Sequence, residues 1–406
     1  MKVYSHSLVF FIQMCVVVVW ASVALSQTNR QSAVPKSIAL DNVESLLHAA
    51  VENGQVAGAV AMVAQDGRVV YLSSVRSKAI HGEAFSTDSI FRITSMTKPV
   101  TAAAVMILRD QGSLALSDPV SKYLPEWASA RVVKPSDQAS ESNHEETVPV
   151  HRPITIMDLL THESGLPGFD GSPAAAAADA ITARVHSTRE LCRELSKIPL
   201  QFQPGTKYLY GVSYEILGCV IESVSGETLD NFFQENIFEP LGMKDASFYV
   251  ASGKRRRLSA IYGMENGQVV TKRPPGDESE PKYLSGGGGL RTTVADFLRF
   301  CQMLVNAGTL DGKRVLRAES VAMMTNNHVG DLYPSADQNE GWGLGVELRN
   351  RDRIGSVYGW GGFYGNAFFI FPKRKVIGIL MTQQFPSGQS HLLEQFEAGV
   401  ADAIGP

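Results

Sequence analysis

Ser95 and Lys98 stand three residues apart in the run Phe91-Arg92-Ile93-Thr94-Ser95-Met96-Thr97-Lys98-Pro99. On a helix that spacing puts both side chains on one face, so the hydroxyl and the amine can meet. A serine hydroxyl is a weak nucleophile until a base takes its proton. A lysine becomes such a base when burial disfavours its ammonium form. In the first turn of a helix, the serine's own N–H and the helix dipole also favour a developing oxyanion. The chemistry on offer is acyl transfer through a Ser95 acyl-enzyme. Ser-x-x-Lys is a short pattern, however, and the chain carries it twice. The second copy, Ser279-Glu280-Pro281-Lys282, has a proline between its two residues in a stretch rich in Pro, Gly and acidic side chains, which argues against a shared helical face.

Other catalytic signatures are weak. There is no Gly-x-Ser-x-Gly elbow, and no His-Glu-x-x-His. His144-Glu145-Glu146 lies in a polar stretch that reads as solvated. Gly286 to Gly289 suggest a phosphate loop, but the Lys-Ser/Thr that should follow is missing. Close packing near the site explains these glycines better. Neither a metal nor an organic cofactor is implied.

The elements that must hold Ser95 can be read from periodicity. Ser95 to Gln111 is expected to be a helix, with Pro99 in its first turn and Gly112 just past its end. Its middle, Ala102 to Leu108, is apolar on all sides and should be buried. Upstream, residues 37–53 read as an amphipathic helix with Asp41 as a cap. Val56 to Ala64 and Val69 to Leu72 follow as strands about an Asp66-Gly67 hairpin turn. Ala128 to Arg152 reads as a polar surface excursion. Helical patterns recur over 154–161, 188–197 and 214–224, whereas Ala174 to Ala178 could be helical or loose. Thr293 to Asn306 is expected to be a helix, followed by strands over 342–348, 367–371 and 376–382 with a turn at 372–375. Strands at both ends and helices between imply a mixed α/β fold: an antiparallel sheet built from both chain ends and flanked by helices. On this reading, residues 37–112 and 285–406 form the α/β domain, and 113–284 is an inserted, mostly helical domain.

The 406 residues are 44% hydrophobic and 19% charged with a formal net charge of −4, which gives no reason to expect nucleic acid as a partner. Leu8 to Val19 is an apolar run, and Ala24-Leu25-Ser26 offers a cleavage site, so residues 1–26 read as a signal peptide. The protein is then periplasmic or secreted, with membrane attachment only if that segment is uncleaved. Cys15 lies in the leader. Cys192, Cys219 and Cys301 are odd in number and widely spaced, and read as buried hydrophobes with neither a disulfide framework nor a zinc site.

Several motifs in order resemble the serine β-lactamase-like, penicillin-recognising family, and more closely its esterase and acyltransferase branch, related to class C β-lactamases. They are Phe91 to Pro99, Asp118-Pro119-Val120 with Tyr123-Leu124-Pro125, Leu159 to His162 with Ser164-Gly165-Leu166, Pro204-Gly205-Thr206 before Tyr210, Ser285 to Leu290, and Trp360-Gly361-Gly362. The resemblance implies that Tyr210 stands beside Ser95 and Lys98 as base or proton relay. It implies that Trp360, Gly361 and Gly362 line the site on a strand edge, and that the N–H of Phe363 joins that of Ser95 in an oxyanion hole. His162 is explained as a structural member of its motif. Two departures bear on substrate. Trp360 replaces the lysine of the usual Lys-Thr-Gly, and Val212 replaces an asparagine, so the groups that hold a carboxylate and an amide are missing. A neutral ester with an apolar acyl or alcohol group is the expected small-molecule substrate. Acyl transfer, and β-lactam or D-alanyl peptide hydrolysis, are alternatives. A non-catalytic sensor or binding protein would not require Ser95, Lys98 and Tyr210 together.

Overall fold

The computed structural model describes residues 40–404, apart from 81–84, 135–145, 267, 336–339, 352–354 and 388–389. The expected leader, residues 37–39 and His144-Glu145 lie outside the described residues.

Gly58–Gln65 (β1) is a run of small and aliphatic residues, buried at every position but its last. Ala59, Ala61 and Val63 join one core, while Val60, Met62 and Ala64 join another. A strand covered on both faces has no polar side to show, hence its unbroken apolar sequence. Asp66 and Gly67, both at positive φ, turn the chain into Arg68–Arg76 (β2), which pairs antiparallel with β1. Two successive positive φ angles suit a two-residue hairpin, and Asp-Gly tolerates them.

The other edge of β1 pairs with Val376–Met381 from the far end of the chain. The sheet has seven strands in the order 341–342, 347–351, 355–361, 367–371, 376–381, β1, β2, with every pairing antiparallel. It is built from both chain ends, as the sequence implied. The Gly355–Gly361 strand has glycines at three of its positions, and they break the alternation that would have announced it.

Helices cover both faces. Asp41–Glu52 (α1) and Ser390–Ile404 pack on one, where Val43, Leu47, Leu392 and Phe396 meet Phe369 and Phe371 of the sheet. Leu40 precedes α1 without a side-chain cap, so Asp41 is its first helical residue and not the expected cap. On the other face lie Thr97–Asp110 (α2) and Val294–Val305. Every residue of α2 from Thr97 to Leu108 is buried, so this helix is held by packing on all sides. Truncating a fully buried Phe such as Phe297 to Ala would cost about 3–5 kcal/mol.

Between residues 113 and 284, Thr155 caps Ile156–Leu160 in a capping box with Asp158. Ser172 caps Pro173–Arg184, so the alanine run is helical. Ser187 caps Thr188–Leu195, and Ser213–Ser225 ends at Gly226 with φ 76°. The cysteine expectation is overturned here. Cys192 and Cys219 form a disulfide between the last two of these helices, with a Cα–Cα distance of 6.6 Å. A separation of 27 residues carries no local signature; only the packing of helix on helix brings the two sulfurs together. Cys301 is free and buried.

Candidate active site

Ser95 sits in a 3₁₀ turn, Thr94–Met96, at the mouth of α2 rather than within the α-helix. Thr94 has φ 44°, an unfavourable conformation for a β-branched residue, of the kind that clusters at functional sites. Lys98 lies in the first turn of α2 and is 2% exposed. Its Nζ is 3.1 Å from Ser95 Oγ and donates to the Gly287 carbonyl at 2.8 Å. The structure therefore joins the nucleophile and base candidates directly.

Tyr210 precedes the Ser213–Ser225 helix, and its ring centroid is 4.8 Å from Lys98 Nζ. Its hydroxyl accepts a hydrogen bond from Trp360 Nε1 at 3.1 Å. Trp360 and Gly361 end the Gly355–Gly361 strand, and Gly362 follows. A Cβ on Gly362 would lie 2.3 Å from the Ile93 carbonyl oxygen, so only glycine lets this edge approach the backbone beside Ser95. At Gly361 the nearest atom to a Cβ would be 3.4 Å away, and no such need exists. The Phe363 N–H, expected in the oxyanion hole, donates to Thr94 Oγ1 at 2.5 Å. An oxyanion would have to displace that hydroxyl to use it.

His162 is fully buried under the site, its ring 4.6 Å from that of Tyr210 and 5.3 Å from that of Trp342. Burial, and then the charge of Lys98, hold it neutral well below the usual imidazole range. Its Nδ1 accepts from the Gly211 N–H at 3.4 Å. That is a structural seat for the tyrosine. The second Ser-x-x-Lys copy lies outside any helix, and Lys282 Nζ donates instead to the Ala183 carbonyl. Among the described residues no group of three His, Cys, Asp or Glu could hold a metal ion.

The chain matches the family described as Beta-lactamase over residues 43–401. It belongs to the beta-lactamase family. Relatives of this family member include esterases, an acyltransferase and a penicillin-binding protein. Esterase EstB of Burkholderia gladioli is 27% identical, with 86% of this chain and 91% of that one covered. A lovastatin esterase of Penicillium rubens is 28% identical, covering 83% and 91%. Among solved structures, EstCE1, a hydrolase with promiscuous acyltransferase activity, superposes with a TM-score of 0.74 at 24% identity, over 89% of this chain and 98% of that one. That likeness shows the fold.

In this beta-lactamase family member, aromatic and charged side chains surround the Ser95 motif. Phe169, 61% exposed, lies 6.0 Å from Lys98 Nζ and 5.8 Å from the Tyr210 ring. Phe363, 58% exposed, lies with its ring 5.5 Å from that of Phe385, tilted by 39°. Arg291 is committed to Glu278 through two bonds of 2.9 and 3.0 Å. Glu215, on the helix after Tyr210, is partly buried and accepts from Ser285 Oγ at 2.7 Å. Burial raises its carboxyl, while Ser285, Lys98 and the N–H groups of Gly287 and Gly286 act in the opposite direction. The sequence motifs include Ser285 but assign no role to Phe169 or Glu215. The one available signal was an acid inside the apolar run Tyr214-Glu215-Ile216-Leu217.

Proposed function

We propose that this serine hydrolase is a carboxylesterase acting on neutral esters with an apolar acyl or alcohol group. The contact that carries the reading is Lys98 Nζ on Ser95 Oγ at 3.1 Å, in a site whose third motif presents the Trp360 indole instead of a cation. Ser95 Oγ attacks the ester carbonyl as its proton passes to the Lys98–Tyr210 pair. Collapse of the tetrahedral adduct breaks the bond to the alcohol oxygen, which takes that proton and leaves. Water then attacks the acyl-enzyme, giving its proton to the same pair, and the acid departs as Ser95 regains a hydrogen. The N–H groups of Ser95 and Phe363 are the oxyanion donors in this scheme, the latter after Thr94 Oγ1 releases it. Exposed Phe169 and Phe363 supply apolar contact for the substrate.

An alcohol acceptor in place of water would make the same intermediate an acyltransferase. Export to the periplasm or medium fits both the apolar N-terminal run and the Cys192–Cys219 disulfide, since disulfides persist in oxidising compartments. The test is covalent labelling by a fluorophosphonate, followed by peptide mapping. The expected adduct is on Ser95, and an unlabelled protein that turns over no p-nitrophenyl ester would end the proposal.

A further inference from the structure

We infer that Glu215 is the positioning residue behind Lys98: it grips the Ser285–Gly289 turn whose Gly287 carbonyl holds the lysine amine, and it supplies the counter-charge for the ammonium formed there. This rests on the serine-hydrolase reading above and extends it.

Three observations carry the inference. First, Glu215 is partly buried as a residue, but its carboxylate Oε2 is closed off from solvent and has no hydrogen-bond partner. An ionised carboxylate is strongly disfavoured away from water unless a cation compensates it. Second, its Oε1 holds the Ser285 hydroxyl at 2.7 Å, and the N–H groups of Gly286 and Gly287 face it. Glu215 therefore holds the turn immediately before the Gly287 carbonyl that receives Lys98 Nζ at 2.8 Å. Third, a Cβ on Gly287 would lie 2.5 Å from Glu215 Oε1 and 3.6 Å from Lys98 Nζ. The two charged ends are thus no farther apart than about 6 Å, with Gly287 between them.

The other groups facing Lys98 do not compensate a positive charge with a negative one. They are the rings of Tyr210 and Tyr214 and the neutral His162. Around Glu215 the titratable neighbours are Lys98 and Tyr283. When Lys98 takes the Ser95 proton, an ammonium appears on a side chain only 2% exposed. A fixed negative charge nearby stabilises it, as the carboxylate behind the base does in Ser-His-Asp hydrolases. The same carboxylate keeps the amine aimed at Ser95 through the turn.

The experiment is a pH profile of kcat/KM for p-nitrophenyl butyrate on wild type and Glu215→Gln. The amide keeps the volume and an acceptor for Ser285 but removes the charge. Lys98 then becomes less basic. The acidic limb of the profile should move to lower pH by about one unit, with kcat down about tenfold or more and KM little changed. Glu215→Asp restores the charge, and should return the limb to its wild-type position. If Glu215→Gln fails to fold, Ser285→Ala weakens the charged form of Glu215 without touching it, and a smaller shift in the same direction is expected. A folded Gln variant with the wild-type limb overturns the inference, whether or not its activity falls; so does an unmoved limb in Ser285→Ala when the Gln variant cannot be made. Fluorophosphonate labelling separates the two claims. No label on wild-type Ser95 removes the hydrolase reading, whereas normal labelling with an unmoved limb removes the role of Glu215 alone.

Discussion

The indole N–H of Trp360 donates to the hydroxyl of Tyr210 at 3.1 Å. A neutral donor can orient the tyrosine and stabilise negative charge on its oxygen, but it cannot bind a substrate carboxylate. Trp360→Phe keeps the ring and deletes the donor. One hydrogen bond of this kind is worth about 1–1.5 kcal/mol, so kcat should fall about tenfold with KM for esters nearly unchanged. Steady-state kinetics on a p-nitrophenyl ester decide it, and an unchanged kcat would show that the indole only packs.

Ser95→Ala should fold normally and lose about a thousandfold or more in activity, because nucleophile and base act as a unit. Ser279→Ala should change nothing, since Lys282 is turned to Ala183 and no helix joins the pair. Labelling lost in the second variant and kept in the first would mean that the wrong copy of the motif was chosen.

Ser95 with Lys98 was legible because helical spacing alone brings residues three apart together, and α2 is apolar enough to declare itself. The sheet built from both chain ends followed from where the strand patterns fall. Tyr210 and Trp360 carry no local signal; their hydrogen bond joins positions 150 residues apart and became legible only through resemblance. The Cys192–Cys219 bond and the seat of Glu215 under Gly287 were invisible for a related reason. Each depends on how one helix lies against another element, which neither periodicity nor spacing encodes.

The disulfide closes a loop of 27 residues, for which chain entropy gives about 3–4 kcal/mol. Cys192→Ala with Cys219→Ala should lower Tm by about 4–5 °C while leaving ester turnover at 25 °C within about twofold. Calorimetry and non-reducing peptide mapping check this together. Free thiols at both positions in protein recovered from an oxidising compartment would contradict the structure.

Glu163 is half-buried, and burial first, then Asp158, pushes its carboxyl up to about 7, while Arg152 is held by Asp158 through bonds of 2.6 and 2.8 Å. An acid whose proton is held more tightly in the folded state stabilises the fold below its unfolded pKa, and that contribution is lost as pH rises through the folded value. Glu163→Gln should therefore raise Tm at pH 8 relative to wild type and do so much less at pH 5. Equal differences at the two pH values would mean that Glu163 titrates normally.

Substrate class turns on what could hold a carboxylate beside Ser95. In a partly dry cleft such a charge needs a cation, and an unpaired one is strongly disfavoured. Trp360 offers none, and two further candidates are engaged elsewhere: Arg291 by Glu278 and Lys282 by the Ala183 carbonyl. Val212, buried at the start of its helix, supplies no polar group for an amide. Phe169 and Phe363 instead present exposed rings about the site. Short neutral esters should accordingly be turned over with kcat/KM at least about a hundredfold above that for penicillins or a chromogenic cephalosporin, the ratio set by about 3 kcal/mol of missing transition-state binding. Both substrate types are measured on one preparation. Comparable values would show that Arg291 leaves Glu278 to bind the carboxylate, which Arg291→Ala would then reveal as a selective loss of β-lactam turnover.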